Sequence, residues 1–543
     1  MLYVLLALAA ITPVLYMPGS GGFEAPKSAL FLLLGGIAVF FAKKIIIPRN
    51  VLLPAGTVIV YTLVRSYFVT APNLAWLGSE TSNWGAIHWL FGWILLVLAT
   101  QCRLSNRARQ QLLAALGIGL MGILLVVVAQ KTGIESIEWL LYDDPVRGRS
   151  LIGSIGSSGQ LGLIIATISV ILLPLRLAIK KRPLAQLMFI SMLTVAAVVT
   201  LLTKSQSGII ILITGALLHL LNAKQYINRR GWIGIFILIS LLPVLAIILP
   251  TPGIVKTHAP SFAARIDTWK TAGQGIAHRP IFGAGIEQFP LVYDRYNTTV
   301  PANPTVLTEE HPHSLLIELL VEWGVIGLFL IVALYYSLLR GHKLSYIHLP
   351  GLAVWLLAAQ TNVMTVTLFA LGIIVSTLLI KQAGSSEQTP LAAPRWVIGS
   401  VATALAVLAL AVGSGGIAYA ISNDRGVRQS TDYLFLFAAN TYSTSLKWPF
   451  PRSYNQLEYA EAYTNNALKY QDFEDSEPVI QAINSVLRGS PTARNLIIAS
   501  QILGVWNEHA PSKRITQLNN EVLQIIKTNW GSTPRFQSLI TKP

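Results

Sequence analysis

The chain has 543 residues, of which 53% are hydrophobic and 12% are charged, and its mean hydropathy is +0.58. This composition indicates that lipid is the main solvent, so we expect an integral membrane protein. The net charge of +16 does not indicate a nucleic-acid partner, because the basic residues form small clusters between apolar stretches and no single tract. The single Cys102 excludes an internal disulfide framework and a cysteine metal site.

Apolar runs long enough to cross the hydrocarbon layer recur through the first 420 positions. They lie at 2–17, 28–47, 51–70, 86–101, 110–129, 159–175, 185–202, 207–222, 231–250, 314–339, 346–361, 363–380 and 396–421. No basic residue precedes the first run, which favours a membrane helix over a cleaved signal peptide. The polar pair at Thr361 and Asn362 is compatible with either a turn or a kink. The predicted fold class is all-α, a polytopic bundle of about 12–13 transmembrane helices.

The connections between the runs alternate in character. Short basic loops follow the second, fourth, sixth, eighth and tenth runs, and by the positive-inside rule they are cytoplasmic. The longer loops, among them 71–85, 130–158 and 251–313, then face outward, together with everything after position 421. We therefore expect residues 1–421 to form the transmembrane domain in the cytoplasmic (inner) membrane, with a large outer loop at 251–313.

The composition becomes polar and aromatic after position 421, and no further spanning stretch follows. Apolar residues recur there on four helical stripes, and Pro478 and Pro491 stand at plausible helix starts. Residues 422–543 are predicted to be a separate extracytoplasmic domain of helical hairpins similar to tetratricopeptide repeats. Such hairpins mainly bury each other, so a non-catalytic helical cap is the simpler interpretation.

The outer loop carries many ionisable side chains in a chain otherwise poor in charge, which either serve a site or are simply solvated. It ends in the sequence His311-Pro-His313-Ser314, where the tenth run begins. Two histidines so close together can bind metal, but the available carboxylates show no recognised ligand pattern, so no metal site is predicted. Glu322 within the run is costly in lipid unless it is paired, and a structural hydrogen bond to another helix would explain it.

Several motifs occur in the order typical of one family. His313-Ser314, nine further residues, Gly324, two more and Gly327 resemble the H-[NSQ]-x9-G-x2-G signature of the O-antigen ligase family. Other stretches are similar to further family motifs: Ser66-Tyr-Phe68, Trp76-Leu-Gly78, Asn83-Trp-Gly85, Arg149 to Gly159, Arg265-Ile-Asp-Thr-Trp269, and His278-Arg-Pro-Ile-Phe-Gly283-Ala-Gly285 with Phe289. The resemblance covers about the first 380 residues and implies a membrane glycosyltransferase or ligase.

One motif departs from the family pattern. Where the family usually has a Ser-Arg pair, this sequence reads Thr203-Lys-Ser205-Gln206-Ser207. Gln206 carries no charge, and the compact ammonium of Lys204 is not equivalent to a bidentate guanidinium. Either residue is a candidate to replace the family's arginine.

The resemblance implies that a glycan is transferred from a polyprenyl pyrophosphate to a hydroxyl of a glycolipid or protein acceptor, outside the cytoplasmic membrane. In that reaction His313 would accept or orient the hydroxyl proton, and Arg265 would meet the charge of the pyrophosphate. The further candidates for binding pyrophosphate or glycan are Arg279, Arg147, Arg149, Lys204, Gln206 and His311. Membrane lipid is the other expected partner. The implied reaction is inverting and metal-independent and needs no cofactor.

Other functions remain open from the residues alone. A polymerase of surface polysaccharide and a protein O-oligosaccharyltransferase share the donor and the signature, and they differ only in the acceptor. A transporter or flippase would place ionisable residues and broken helices at mid-membrane, often in repeated halves, and no repeated pair of interrupted runs is seen. A membrane scaffold would leave the charged outer loop unexplained.

Overall fold

The structure is a computed structural model. It describes residues 1–16, 23–41, 47–79, 84–102, 104–132, 151–248, 260–297, 309–340, 342–382, 395–431, 434–447 and 453–530. These residues are almost entirely helical, so the predicted all-α class is confirmed. The exceptions are two short strands, β1 (Lys343–Leu344) and β2 (Ile380–Gln382), which pair antiparallel.

Eleven helices precede the outer loop in the described part of the chain. They are α1 (Leu2–Ala10), α2 (Ala25–Phe41), α3 (Arg49–Tyr67), α4 (Pro72–Leu77), α5 (Ala86–Gln101), α6 (Asn106–Thr132), α7 (Ser158–Leu172), α8 (Leu175–Ala178), α9 (Pro183–Leu202), α10 (Gln206–Ala223) and α11 (Arg229–Ile248). Local signals set several starts: Pro183 opens α9, and the Ser205 hydroxyl accepts a hydrogen bond from the Gly208 N–H at the start of α10.

Six helical segments within the described residues are long and apolar enough to cross a membrane. They are Asn106–Thr132, Ser158–Leu177, Pro183–Leu202, Gln206–Ala223, Arg229–Ile248 and Leu315–Leu339. Shorter apolar helices, such as Ala86–Gln101 and Val366–Leu379, pack among them. The chain is therefore an integral membrane protein. The number of spans beyond these six stays a prediction.

The predicted tenth span is interrupted. It consists of α14 (Leu315–Glu318), a π-helical turn (Leu319–Trp323) and α15 (Gly324–Leu339). Gly324 has φ +68°, a left-handed conformation that only glycine adopts readily. A Cβ at this position would lie 2.3 Å from the carbonyl oxygen of Ile281. The glycine is therefore required both by its backbone angle and by the close approach of another segment.

Residues 280–285 of the outer loop fill this interruption. The Ala284 and Gly285 N–H groups donate to the carbonyls of Val321 and Glu322, at 2.7 and 2.9 Å. On the other side of the break, the N–H groups of residues 325 and 326 donate to the carbonyls of residues 280 and 281, at 2.9 and 3.2 Å. Irregular backbone at membrane depth is tolerated only where protein satisfies its polar groups, and the loop does so here. The loop backbone thus becomes part of the broken span.

The outer loop contributes two helices, α12 (Pro260–His278) and α13 (Phe289–Tyr296). After the broken span come a 3-10 turn (Tyr346–His348), α16 (Leu349–Gln360) and α17 (Val366–Leu379). Thr361 and Asn362 lie between the last two helices, so the polar pair forms a turn and not a kink within one helix.

The predicted domain boundary falls inside a single helix. α18 (Arg395–Thr431) continues ten residues past position 421 without a break. Five helices follow: α19 (Phe435–Leu446), α20 (Ser453–Tyr470), α21 (Glu477–Gly489), α22 (Ala493–His509) and α23 (Lys513–Trp530). Their predicted apolar stripes are mostly buried in a core of their own, around Val479, Leu496 and Val522. The division into domains and the similarity to tetratricopeptide repeats stay predictions.

The C-terminal helices dock on the outer loop through polar contacts. The fully buried Asp294 of α13 accepts a hydrogen bond of 2.9 Å from the Ala493 N–H, the first of α22. A carboxylate at a helix start is favoured both by the free N–H groups and by the helix dipole. Arg494 also lies 3.9 Å from the Glu310 carboxylate. The C-terminal helices therefore pack beside the segment that leads to His313.

Candidate functional site

His313 stands at the end of the outer loop in a backbone conformation that is rare for a side-chain-bearing residue. Its φ is +52°, and the next residue, Ser314, caps α14 by accepting a hydrogen bond from Ile317 N–H. The Ser314 hydroxyl donates to the side-chain oxygen of Gln360 at 2.9 Å. The Trp269 indole donates to the Pro312 carbonyl at 2.6 Å. These contacts from two other helices hold the histidine in its strained conformation.

Glu309 is the nearest functional partner of His313. One of its carboxylate oxygens lies 2.9 Å from His313 Nε2, and the two side chains remain 33% and 26% exposed. A carboxylate on one imidazole nitrogen orients the ring and sets its tautomer. Glu309 was not among the site residues predicted from the sequence. It could have been predicted from its position, because it is an acidic residue four positions before His313.

Arg265 lies in α12 and points toward the same region. Its Nη1 donates to the Thr361 carbonyl at 2.6 Å and to the Ser207 hydroxyl at 3.3 Å. Burial lowers the pKa of the guanidinium, and the nearby Glu309 carboxylate opposes this shift. Arginine keeps its charge under such conditions. Glu309 therefore pairs with His313 and also lies close enough to Arg265 to act on its charge, which places the three side chains in one region.

Lys204 and Gln206 lie at the start of α10, beside this site. Lys204 has φ +54°, Gln206 is the first residue of the helix, and both side chains are exposed. Ser207, which the sequence analysis did not select, is the residue of this segment that contacts Arg265. The helix start offers free N–H groups and a positive dipole end, which suit an anion.

Arg279, a further candidate for binding pyrophosphate or glycan, lies away from the Arg265 site. Arg265 is in the first half of α12 and Arg279 directly follows its last residue, so the two stand about 20 Å apart along the helix axis at 1.5 Å per residue. Arg279 is exposed and lines a separate cavity of about 390 Å³ together with Arg295 and residues of the C-terminal helices, including Asn529. Arg147 and Arg149 lie outside the described residues.

His311, another candidate for substrate binding, is buried. It is only 3% exposed, its Nε2 lies 2.9 Å from the Ser79 hydroxyl, and burial lowers its pKa to about 4. The carboxylates of Glu287 and Glu318 lie beside it, and the ligand atoms of the three side chains are within 4.8 Å of one another. No ligand pattern was visible in the sequence, because Glu287 comes 24 residues before His311 and Glu318 seven residues after it.

An apolar cavity of about 1110 Å³ begins next to the site. Leu315, Leu316 and Gln360 line it at one end, and Arg229 and Arg340 line it at the other. The walls between them include Trp93, Trp232, Leu319, Ile331, Trp355 and Leu356. Since the segment from Leu315 to Leu339 is 25 residues long, the cavity extends along a span of about 35 Å. It is large for a small-molecule site and suits a long apolar chain.

Comparison with known proteins shows a similarity over part of the chain. The family model described as O-antigen ligase matches residues 190–332. No curated protein shows significant similarity to the chain. The matched segment contains α10, the outer loop with Arg265, the interruption at Gly324 and the site around His313. The resemblance to the O-antigen ligase family is therefore confirmed over residues 190–332.

Proposed function

We propose that this protein transfers a glycan from a polyprenyl pyrophosphate to an acceptor hydroxyl, at the outer face of the cytoplasmic membrane. The family match supports a ligase-like or polymerase activity in general. The finer proposal of donor, side of the membrane and residue roles is supported by the arrangement of the site and by the basic loops that alternate along the chain.

One observation carries the proposal: the apolar cavity and the polar site share residues. Gln360 lines the cavity and also accepts the hydrogen bond of Ser314, next to His313. The following residue, Thr361, accepts the hydrogen bond of Arg265. A prenyl chain in the cavity would therefore present its pyrophosphate between Arg265 and His313. An enzyme with a water-soluble donor would have no need of this geometry.

Arg265 supplies the charge that the leaving group needs. As the acceptor oxygen bonds to the anomeric carbon, the bond from that carbon to the phosphate oxygen breaks, and polyprenyl pyrophosphate leaves with both bonding electrons. A guanidinium in a partly buried site stabilises the developing charge strongly, so no metal is needed at the reacting centre. Lys204, Gln206 and the free N–H groups at the start of α10 provide further contacts to the same anion.

His313 takes up the proton that the acceptor hydroxyl loses. Glu309 acts as a positioning residue, because its contact with Nε2 orients the imidazole and stabilises the imidazolium that forms. Attack from the face opposite to the leaving pyrophosphate inverts the anomeric centre. With Nε2 held by Glu309, the proton goes to Nδ1, which is buried and has no hydrogen-bond partner among the described residues, so the acceptor hydroxyl must reach that nitrogen.

Arg279 binds a different part of the substrates from the one that Arg265 binds. The cavity that it lines with Arg295 lies between the outer loop and the C-terminal helices. Both guanidinium groups are exposed there, and Arg65 adds a third positive charge nearby. We assign this cavity to the acceptor or to the distal sugars of the donor, where acidic or phosphorylated groups would be recognised.

The test uses purified protein in lipid nanodiscs with a lipid-linked glycan donor. We expect His313→Ala and Arg265→Ala each to lower the transfer rate at least 100-fold, the typical loss for a general base or an electrostatic donor. His278→Ala and Asp267→Asn, at exposed positions of α12, are the matched controls and retain the wild-type rate. Wild-type transfer by His313→Ala or Arg265→Ala would refute the roles.

Three other activities can be compared with the proposed one: a polymerase, a protein O-oligosaccharyltransferase and a transporter. A polymerase or a protein O-oligosaccharyltransferase needs the same donor site, so analysis of the products of cells lacking the protein distinguishes them. The interruption at Gly324 is a feature that transporters also use. In this protein, however, backbone groups on both sides of the break bond to residues 280–285, which favours a fixed interruption over one that opens and closes.

A further inference from the structure

We propose that Glu287, His311 and Glu318 bind a divalent transition-metal ion, with Zn²⁺ the best match to the donor set. Their ligand atoms lie within 4.8 Å of one another, and all three side chains are buried. Zinc is bound by imidazole nitrogen and carboxylate oxygen at about 2.0–2.2 Å, so paired ligand atoms of a tetrahedral site stand about 3.3–3.6 Å apart. Movement of the three side chains toward one another by about 1 Å would complete the site.

Buried polar atoms of the cluster lack hydrogen-bond partners in the described part of the chain. Among the described residues, His311 Nδ1 and Glu318 Oε2 accept no hydrogen bond, although their side chains are only 3% and 1% exposed. Buried polar atoms are rarely left in this condition. With His311 Nε2–H donating to the Ser79 hydroxyl, Nδ1 keeps a lone pair that is available to a cation. A hydrogen bond from the second ring nitrogen is the usual support of a metal-bound histidine.

Charge balance points to a cation as well. No lysine or arginine in the described part of the chain forms an ion pair with Glu287 or Glu318, and the carboxyl group of Glu322 adds a third acid close by. Buried carboxylates are costly unless they are paired or bind metal. A divalent ion neutralises the two carboxylate ligands, and a water molecule can supply the fourth position. Mixed imidazole and carboxylate ligands suit zinc better than magnesium or calcium.

The ion would join three segments that are distant in sequence. Glu287 lies between the inserted backbone at 280–285 and α13, His311 lies two residues before His313, and Glu318 belongs to the first half of the broken span. The ion would therefore hold the segment that contains His311 and His313 against the interrupted span. It is separate from the Arg265 site, so this inference does not depend on the proposed reaction.

The experiment measures metal content and stability, not glycan transfer. The wild-type protein is purified through a tag that contains no histidine, is dialysed against metal-free buffer and is analysed by inductively coupled plasma mass spectrometry. We expect about one zinc per chain. After stripping with a strong chelator, addition of zinc chloride is expected to raise the unfolding midpoint by at least about 2 °C. Glu318→Gln and His311→Ala are expected to lose both the ion and this rise.

Glu310→Gln is the matched control, since it removes a neighbouring carboxyl group that is outside the cluster. It is expected to retain the ion. X-ray absorption at the zinc edge of the wild-type protein provides a second measurement that needs no variant, and a shell of nitrogen and oxygen ligands with one imidazole is expected. Wild-type protein without bound metal whose midpoint does not respond to zinc or manganese would overturn the inference. Retention of zinc by Glu318→Gln combined with His311→Ala would overturn it too.

Discussion

Replacement of Gly324 by alanine tests whether the interrupted span is required by its backbone. At φ +68° the new side chain costs about 1–2 kcal/mol of backbone strain. Its Cβ would also stand 2.3 Å from the Ile281 oxygen and 2.6 Å from the Gly283 nitrogen, and both are backbone atoms that cannot rotate away. The segments must therefore separate.

Separation breaks the two hydrogen bonds on that side of the interruption, from Val325 N–H to the Pro280 carbonyl and from Ile326 N–H to the Ile281 carbonyl. Each buried group left without a partner costs about 1–3 kcal/mol. Together with the strain, the expected loss of stability is about 3–8 kcal/mol. We expect Gly324→Ala to unfold at a much lower temperature in nanodiscs and to lose glycan transfer, because the loop that carries Glu287 and leads to α13 is displaced.

Gly117→Ala is the matched control. Gly117 lies in the membrane helix α6, and a Cβ there would meet no atom within 4 Å. Alanine is better than glycine in a helix by up to about 1 kcal/mol, so this variant is expected to be as stable as the wild type or slightly more stable. A Gly324→Ala protein with the unfolding midpoint and activity of Gly117→Ala would refute the reasoning.

Three further predictions follow from the site. Glu309→Gln is expected to lower kcat at least 10-fold with little change in KM, because the variant loses the orientation of the imidazole but keeps donor binding. A change in KM alone would contradict the positioning role. Leu328→Trp narrows the apolar cavity and is expected to raise KM for the lipid-linked donor several-fold. The control Phe329→Trp changes a side chain that is 69% exposed and is expected to leave KM unchanged. Equal KM values for the two variants would exclude the cavity as the prenyl site. His278→Cys in a Cys102→Ser background is expected to react with a membrane-impermeant maleimide in intact spheroplasts, and protection until lysis would place the outer loop in the cytoplasm.

The glycine motifs show how far the sequence could be interpreted. The motifs similar to those of the family included Gly324 and Gly283, but the sequence did not show why glycine is required there. The requirement comes from the contact between the two segments. The Cβ of either residue would strike the backbone of the other segment. Such a contact joins residues 41 positions apart and depends on how distant segments pack together, which the periodicity of the sequence does not indicate.

The two arginines of the outer loop illustrate the same limit. Both precede His313 in the sequence, and both were predicted to meet one pyrophosphate. α12 is a continuous helix of 19 residues, and this rigid spacing holds Arg265 and Arg279 in different sites. The helix itself could have been predicted from local pattern, whereas the neighbours at each of its ends could not.

Local properties of the sequence determined the class of the protein. Apolar runs of sufficient length must become helices in lipid, because no water satisfies their backbone groups, and basic loops predict the orientation of these helices. The tertiary structure decided which distant side chains meet: Arg265 with Thr361, Ser314 with Gln360, and His311 with Glu287. These pairs depend on the packing of whole helices, which the sequence pattern does not specify. Once such polar groups are buried together, their interactions become stronger than in water, and their geometry is fixed by the packing around them.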